Sequence, residues 1–339
     1  MTVPVELSDS AELATPTDPA AYLPGIAQRV ESALSPNTRR AYASSLRQLD
    51  RFADEHGWDP NFPATIASFL TWALDERTDA SGKKTGISSS AIDILLAAVR
   101  RRARELGLPN PTETRVLQDF IAGARRELAG HRVRKASVFT TDQLRQVVAA
   151  IDLTNPVGRR DAALILTAYA AALRRSELVA LTVGDLTFTR DGVLVYISRS
   201  KTDQQGRGEE LAIARGTGIT DPVAHLEALV EQRRREVGRL TDDTPLFVRV
   251  WSNGRALHQA LTGQSVPLIL RARAEAAGVD LPALTGHSPR RSHITTAAGA
   301  GVSLERIAKT SRHKNLSVLA GYVDRGRIFE ATTSRELGL

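Results

Sequence analysis

Arg312-His313-Lys314-Asn315-Leu316-Ser317-Val318-Leu319-Ala320-Gly321-Tyr322 places a phenol nine residues after an imidazole near the end of the chain. Upstream, His287-Ser288-Pro289-Arg290 supplies a second histidine with an arginine three positions on. Ala172-Leu173-Arg174-Arg175-Ser176-Glu177-Leu178 sets Arg174 in apolar surroundings, with Glu177 within reach on one helical turn. A tyrosine hydroxyl titrates near ~10, so it becomes a useful nucleophile only beside cations and a base. Preorganised arginine forks neutralise a phosphate bidentately while its charge shifts. One phenol, two arginines and two histidines are the parts needed to attack a phosphodiester without a metal.

Each part has a plainer reading when it stands alone. Arg174 and Glu177 make a structural ion pair, a His-x-x-Arg pair is common on solvated helices, and Tyr322 between Leu319 and Val323 is a core residue. Lys201, in Ser198-Arg199-Ser200-Lys201-Thr202-Asp203, is a solvated turn lysine. The order of the parts is what carries weight.

That order (Arg, Lys, His-x-x-Arg, His, Tyr) resembles the tyrosine recombinase (phage integrase) family over about residues 25 to 330, in layout nearest the two-domain Cre/Xer group. The resemblance implies roles. Arg174 and Arg290 clamp the scissile phosphate, and Glu177 orients them. His287 hydrogen-bonds the phosphate and takes the tyrosine proton, with His293 as a neighbouring rival. His313 donates to the phosphate, Lys201 protonates the leaving 5′ oxygen, and Tyr322 is the nucleophile. Arg199 and Arg207 remain alternatives to Lys201 in a shifted register. Three positions depart from the family pattern: Ala172 and Arg312 stand where glycine is usual, and Pro289 stands where leucine is more common, a packing difference. The second departure alters the turn and adds Arg312 to the expected DNA contacts.

The implied fold is mainly α with a small antiparallel sheet: an all-helical core-binding domain and a mixed α/β catalytic domain that close as a C-shaped clamp on DNA. The implied reaction forms a 3′-phosphotyrosyl intermediate and passes through a Holliday junction, with no metal, ATP or other cofactor. The implied partners are double-stranded DNA carrying inverted repeats and three further copies of the chain, which is a monomer when free. Two other functions share parts of this pattern. A type IB topoisomerase uses the same phosphoryl chemistry without a tetramer, and a non-catalytic DNA-binding protein keeps the basic surface.

Working outward, residues 1–24 form an acidic, Pro-rich arm with Glu6, Asp9, Glu12 and Asp18 and no Lys or Arg. Residues 25–129 read as the helical core-binding domain. Ser35 caps and Pro36 opens a first helix, Tyr42, Leu46, Leu49, Phe52 and Ala53 recur at helical spacing, and Gly57 stops it. A second helix follows Pro63, a third runs from Ser89 to Leu106, and Leu117, Phe120, Ile121 and Ala124 mark a fourth. Arg100, Arg101, Arg102 and Arg104 at the end of the third are expected to meet phosphates, against the plainer reading of a solvated face. Residues 130–137 read as a basic linker, whose Arg132, Arg134 and Lys135 would track a DNA backbone together with Arg199 of the second domain.

The catalytic domain, residues 138–339, opens with a helix at Thr141, buries a helix over Ala162–Leu173, and then alternates as strands over Leu186–Phe188, Val193–Ile197 and Leu211–Ile213. The remainder reads as helical, ending in a tail, residues 323–339, expected to dock on a neighbour.

Composition sets the bounds. The chain has 339 residues, 42% hydrophobic and 24% charged, with net charge +7, which suits two soluble domains and a polyanionic partner. It has no cysteine, which excludes disulfides and thiol catalysis and suits the cytoplasm. The longest apolar run, about twelve residues, is too short to span a bilayer.

Overall fold

A computed structural model describes residues 33–79, 81–129, 136–198, 208–251, 254–313, 315–316 and 319–321. The expected acidic arm, residues 130–135 of the linker, Lys201 and Arg199, Tyr322 and the tail lie outside the described residues. The chain divides into two compact units, Met1–Val133 and Arg134–Leu339.

Among the described residues the first unit packs four helices: α1 (Pro36–His56), α2 (Pro63–Asp75), α3 (Ser89–Glu105) and α4 (Arg115–Ala129). Local chemistry sets their ends. Ser35 Oγ accepts the Thr38 N–H at 3.2 Å, and Ser88 Oγ accepts that of Ala91 at 3.2 Å. Gly57 takes a left-handed conformation (φ 69°) that turns the chain out of α1. The apolar stripes meet in one core: Leu49 and Phe52 of α1, Ile66, Phe69 and Leu70 of α2, Ile92, Leu95 and Val99 of α3, and Leu117 and Ile121 of α4.

The second unit begins with α5 (Thr141–Ala149), whose start is a reciprocal cap between Thr140 and Gln143. Helix α6 (Pro156–Ala170) is its buried axis, with residues 160–168 all inaccessible. It ends at Ala170, short of the expected Leu173, because Ala172 adopts φ 48° and breaks the helical path. Arg174 then becomes the cap residue of the short helix α7 (Arg175–Ala180). Strands β1 (Leu186–Phe188), β2 (Gly192–Ile197) and β3 (Glu209–Ala214) form an antiparallel meander, in register from Gly192–Ala214 to Ile197–Glu209. Helix α8 (Pro222–Val237) packs on α6, and the large core gathers Leu164, Ile165, Val193, Leu226 and Phe247.

The stretch expected to be wholly helical contains a second sheet instead. Strands β4 (Val248–Val250) and β5 (Ala256–Ala260) pair antiparallel before α9 (Ser265–Ala276), α10 (Ser288–Gly299) and α11 (Leu304–Ser311). Val248-Arg249-Val250 alternates over three residues only, too few to stand out, with Gly254 at φ 81° in the return. A small apolar cluster of Ile294, Ala298, Ile307 and Leu319 locks α10 to α11 and to the segment leading toward Tyr322.

Ala136 and Ser137, expected in the linker, are docked on the second unit. Ser137 N–H donates to the Ala283 carbonyl at 3.0 Å, and Ala283 N–H donates to Ser137 Oγ at 3.1 Å. Among the described residues no helix is long and apolar enough to cross a membrane.

Candidate active site

Three irregular points of the second unit converge on one cluster: the turn before α7, the start of α10 and the end of α11. Arg174 donates from Nη1 to Glu177 Oε1 at 2.6 Å, and its backbone N–H donates to Glu177 Oε2 at 2.8 Å. The carboxylate therefore fixes both the side chain and the main chain of Arg174. Glu177 itself is 2% exposed in its side chain, while that of Arg174 is 20% exposed. The guanidinium faces outward and the anion stays behind it.

Arg290 is 1% exposed. Its Nη1 donates to the Ala172 carbonyl at 2.7 Å and its Nη2 to the Ser311 carbonyl. Those carbonyls belong to Ala172 and to the residue before Arg312, and Ala172 and Arg312 (φ 48° and 55°) are the two non-glycine residues with positive φ among the described residues. Left-handed backbone costs roughly 1–2 kcal/mol for an L residue. The two strained corners aim their carbonyls at the same arginine, which is thereby held against rotation.

His313 lies beside Arg290, its ring nitrogens 3.3 and 3.4 Å from Nη2. Its Nδ1 is 2.8 Å from Ser311 Oγ, and that hydroxyl donates to the Ile307 carbonyl at 2.6 Å. A hydroxyl has one proton to give, so the neutral imidazole donates from Nδ1, and its Nε2 lacks the proton that the expected donation to a phosphate requires. Partial burial, and then the positive charges of Arg290, Arg174, His287 and Arg312, push the His313 pKa down to about 4. His287, at the start of α10, is lowered for the same reasons: desolvation first, then Arg290, Arg174 and Arg291. The rival His293 also has its pKa lowered by burial, but it sits against the Tyr169 ring, with centroids 6.1 Å apart. It packs as a neighbour.

Arg312 overturns one expectation. It does not present itself to DNA: its side chain is 2% exposed, and Nη2 reaches Glu177 Oε2 at 2.5 Å. Its left-handed φ caps α11, the geometry for which glycine is the ordinary choice. Glu177 thus serves two arginines from two elements. The sequence showed the exceptional residue; its inward direction is a tertiary fact.

In the first unit, Arg100, Arg101 and Arg104 line one open concavity of about 590 Å³, with Tyr42 and Ala97. Arg102, expected with them, points elsewhere. It donates to Asp50 Oδ1 at 2.5 Å and to the Pro60 carbonyl at 2.9 Å. Spacing explains the split, because Arg102 lies three residues after Val99 and seven after Leu95, on the buried face of α3. Arg175, which was not singled out, runs beside the glycines at 263 and 286 next to His287, close enough that a Cβ on Gly286 would lie 3.1 Å from its Cδ. Among the described residues no three His, Asp or Glu side chains gather as metal ligands would.

Known proteins share this layout. An integrase/recombinase xerD homolog from Selenomonas ruminantium is 29% identical over 307 residues, 89% of this chain and 86% of the relative. Tyrosine recombinase XerC from Herpetosiphon aurantiacus is 27% identical over 301 residues, 86% of each chain. The fold matches the XerH site-specific recombinase bound to palindromic difH substrate (TM-score 0.58, 17% identity, 88% of this chain and 79% of that one). It also matches the Tn1549 transposon integrase in complex with transposon right end DNA (TM-score 0.59, 16% identity, 88% of this chain and 92% of that one). The model of the phage integrase family covers residues 137–326, the stretch holding every part of the Arg174–Arg290–His313 cluster, and the chain belongs to that family, the tyrosine recombinases.

Proposed function

We propose that this recombinase cuts and rejoins duplex DNA at a specific site through a covalent link to Tyr322. The observation that carries the reading is the convergence of Arg174, His287, Arg290 and His313, from separate parts of the chain, on one electropositive cluster. Such a cluster suits a dianionic phosphoryl transition state, since fixed guanidinium donors need no reorganisation as charge develops.

In the proposed step the Tyr322 oxygen attacks phosphorus and the bond to the 5′ oxygen breaks. The tyrosine proton passes to His287, and Lys201 gives a proton to the departing oxygen. Bond energy is kept in the 3′-phosphotyrosyl link, so a 5′ hydroxyl from a partner duplex reverses the step without ATP. Two such exchanges pass through a Holliday junction held by four copies of the chain. Arg100, Arg101 and Arg104 supply sequence-independent phosphate contacts from the first unit.

The test begins by trapping the protein on fragmented DNA and sequencing what is attached. A duplex of that sequence, nicked so that the 5′ product diffuses away, is then incubated with wild type and Tyr322→Phe. The wild type is expected to form an adduct that survives a denaturing gel, and the variant to form none while binding within a few-fold. An undiminished adduct from Tyr322→Phe would overturn the assignment. Two-site plasmids separate the functions: strand exchange between sites fits the proposal, whereas supercoil relaxation with no site requirement would replace it with topoisomerase activity.

A further inference from the structure

Arg312 is a buried cation for which the proposed chemistry has no use. Its side chain is 2% exposed, too enclosed to reach a DNA phosphate. It occupies a left-handed corner at φ 55° that glycine would occupy without strain. Desolvation works against its charge, lowering its pKa before Glu177 partly restores it. Its Nε is buried and makes no hydrogen bond. Backbone and burial disfavour arginine here and its Nε is left unbonded, so what Arg312 contributes comes through its bond to Glu177 and the place of its charge.

That place is behind Glu177. The carboxylate is bonded on one side to Arg174 and on the other to Arg312. Alone with Arg174, it would cancel the arginine's charge at the mouth of the site and draw the fork inward. With Arg312 behind it, the carboxylate is already neutralised, and Arg174 keeps an orienting bond without losing its field. Arg312 Nε also lies 3.9 Å from Glu209, the first residue of β3, which pairs with Ile197 of β2. Glu209 is 47% exposed, so that contact is screened and secondary.

We propose that Arg312 is a positioning residue for strand cleavage: through Glu177 it sets the orientation and effective charge of the Arg174 fork. The inference rests on the reading of Arg174 as the phosphate clamp. It assigns Arg312 no contact with DNA and no contact with the reacting atoms.

The experiment is single-turnover cleavage of the trapped-site nicked duplex by full-length wild type, Arg174→Ala, Arg312→Gly, Arg312→Lys, Glu177→Gln and the Arg312→Gly/Glu177→Gln pair. Arg312→Gly is expected to cleave roughly 10–100-fold more slowly, as a misplaced clamp does, while its DNA affinity and salt dependence stay at wild-type values. Arg312→Lys, which restores charge without the fork, should recover part of the rate. The double variant should be no slower than the worse single, because both changes act through one link. Arg312 also helps to hold the His313 pKa down, so Arg312→Gly should move the acidic limb of the pH–rate profile to higher pH. Arg312→Lys keeps the cation and should leave that limb in place, whereas a turn loosened by either change would expose His313 and move it in both.

Melting curves identify a variant that does not fold, and the lysine variant, which keeps a cation in place, then carries the test. Wild-type cleavage by Arg312→Gly beside a dead Arg174→Ala would overturn the inference and leave the site reading intact. Losses that multiply in the double variant would overturn it too. Undiminished cleavage by Arg174→Ala would instead remove the site reading on which the inference rests.

Discussion

Two groups of arginines, one in each unit, are held in opposite ways. In the second unit Arg290 is 1% exposed and braced by two carbonyls, and Arg174 is pinned at both side chain and backbone by Glu177. In the first, Arg100, Arg101 and Arg104 stand around an open concavity, and the nearest acid, Glu105, pairs with Arg101 along the same helix at 2.6 Å. Rigid, desolvated cations act on charge that develops at a single point, because they are oriented before it appears. Cations around an open surface act on a line of phosphates, where displaced counterions matter more than geometry. Arginine number says nothing about which is which; the local anchoring does.

The comparison breaks first at Arg174. Arg174→Ala should lower single-turnover cleavage by roughly 10²–10³-fold, the usual effect of losing one preorganised donor to a developing oxyanion, with DNA affinity changed far less. A matching loss of affinity would mean that Arg174 belongs with the first unit's arginines after all.

Next in size is the open face. Replacing Arg100, Arg101 and Arg104 together by alanine should weaken binding to all sequences alike and flatten the plot of log K against log salt by about 0.9 for each phosphate no longer neutralised. Arg102→Ala is the contrast. It should leave that slope unchanged and lower the melting temperature, since it removes the bonds to Asp50 and Pro60. A slope change in Arg102→Ala would place the helix face differently from the structure.

Acid acts on the second unit through its histidines. With its folded pKa near 4, below the ordinary 6.5, His313 is proton-free in the folded state where the unfolded chain already binds a proton. Stability therefore rises with pH through this window and is lost as pH falls from about 6.5 toward 4. His287 and His293 act in the same direction. Melting curves over that range should show the loss, and His313→Gln should reduce it. A bound phosphate opposes the arginines, so DNA should raise the His313 pKa and draw in a proton near pH 5. Calorimetry in buffers of different ionisation enthalpy measures that uptake.

The smallest effect is at Ala172. Ala172→Gly relieves the φ 48° corner but frees the unfolded chain, for a net gain of roughly 0.5–1 kcal/mol. This corresponds to a rise of about 2–4 °C per kcal/mol in a domain of this size. No gain would mean that surrounding contacts, not strain, set that turn.

Much of this was legible beforehand, for reasons that are local. Ser35, Pro36 and Gly57 bound α1 by their own chemistry, and the periods of Leu49, Phe52, Leu95 and Val99 announced the faces they bury. Arg174, His287, Arg290 and His313 were picked out by the resemblance of their order to the tyrosine recombinases, and the fold brings all four together. What failed depended on direction. Arg102 and Arg312 look like surface cations by composition, yet one follows a core stripe and the other turns toward Glu177. Strands β4 and β5 escaped because three and five residues give little periodicity between long helices. The double use of Glu177 required two elements 135 positions apart in the chain.

The way the second unit begins has a mechanical consequence. The Arg291 guanidinium grips the Ala136 carbonyl at 2.7 Å, Phe139 N–H donates to Ser292 Oγ at 3.0 Å, and Ser292 Oγ is tied on to the Ser288 carbonyl at 2.8 Å. These grips lie next to Arg290 along α10. Tension arriving along the chain at Ala136 is thus shared between the Ser137–Ala283 pair and the helix that carries the buried Arg290. The segment entering this unit doubles as a tether whose load path runs past that arginine.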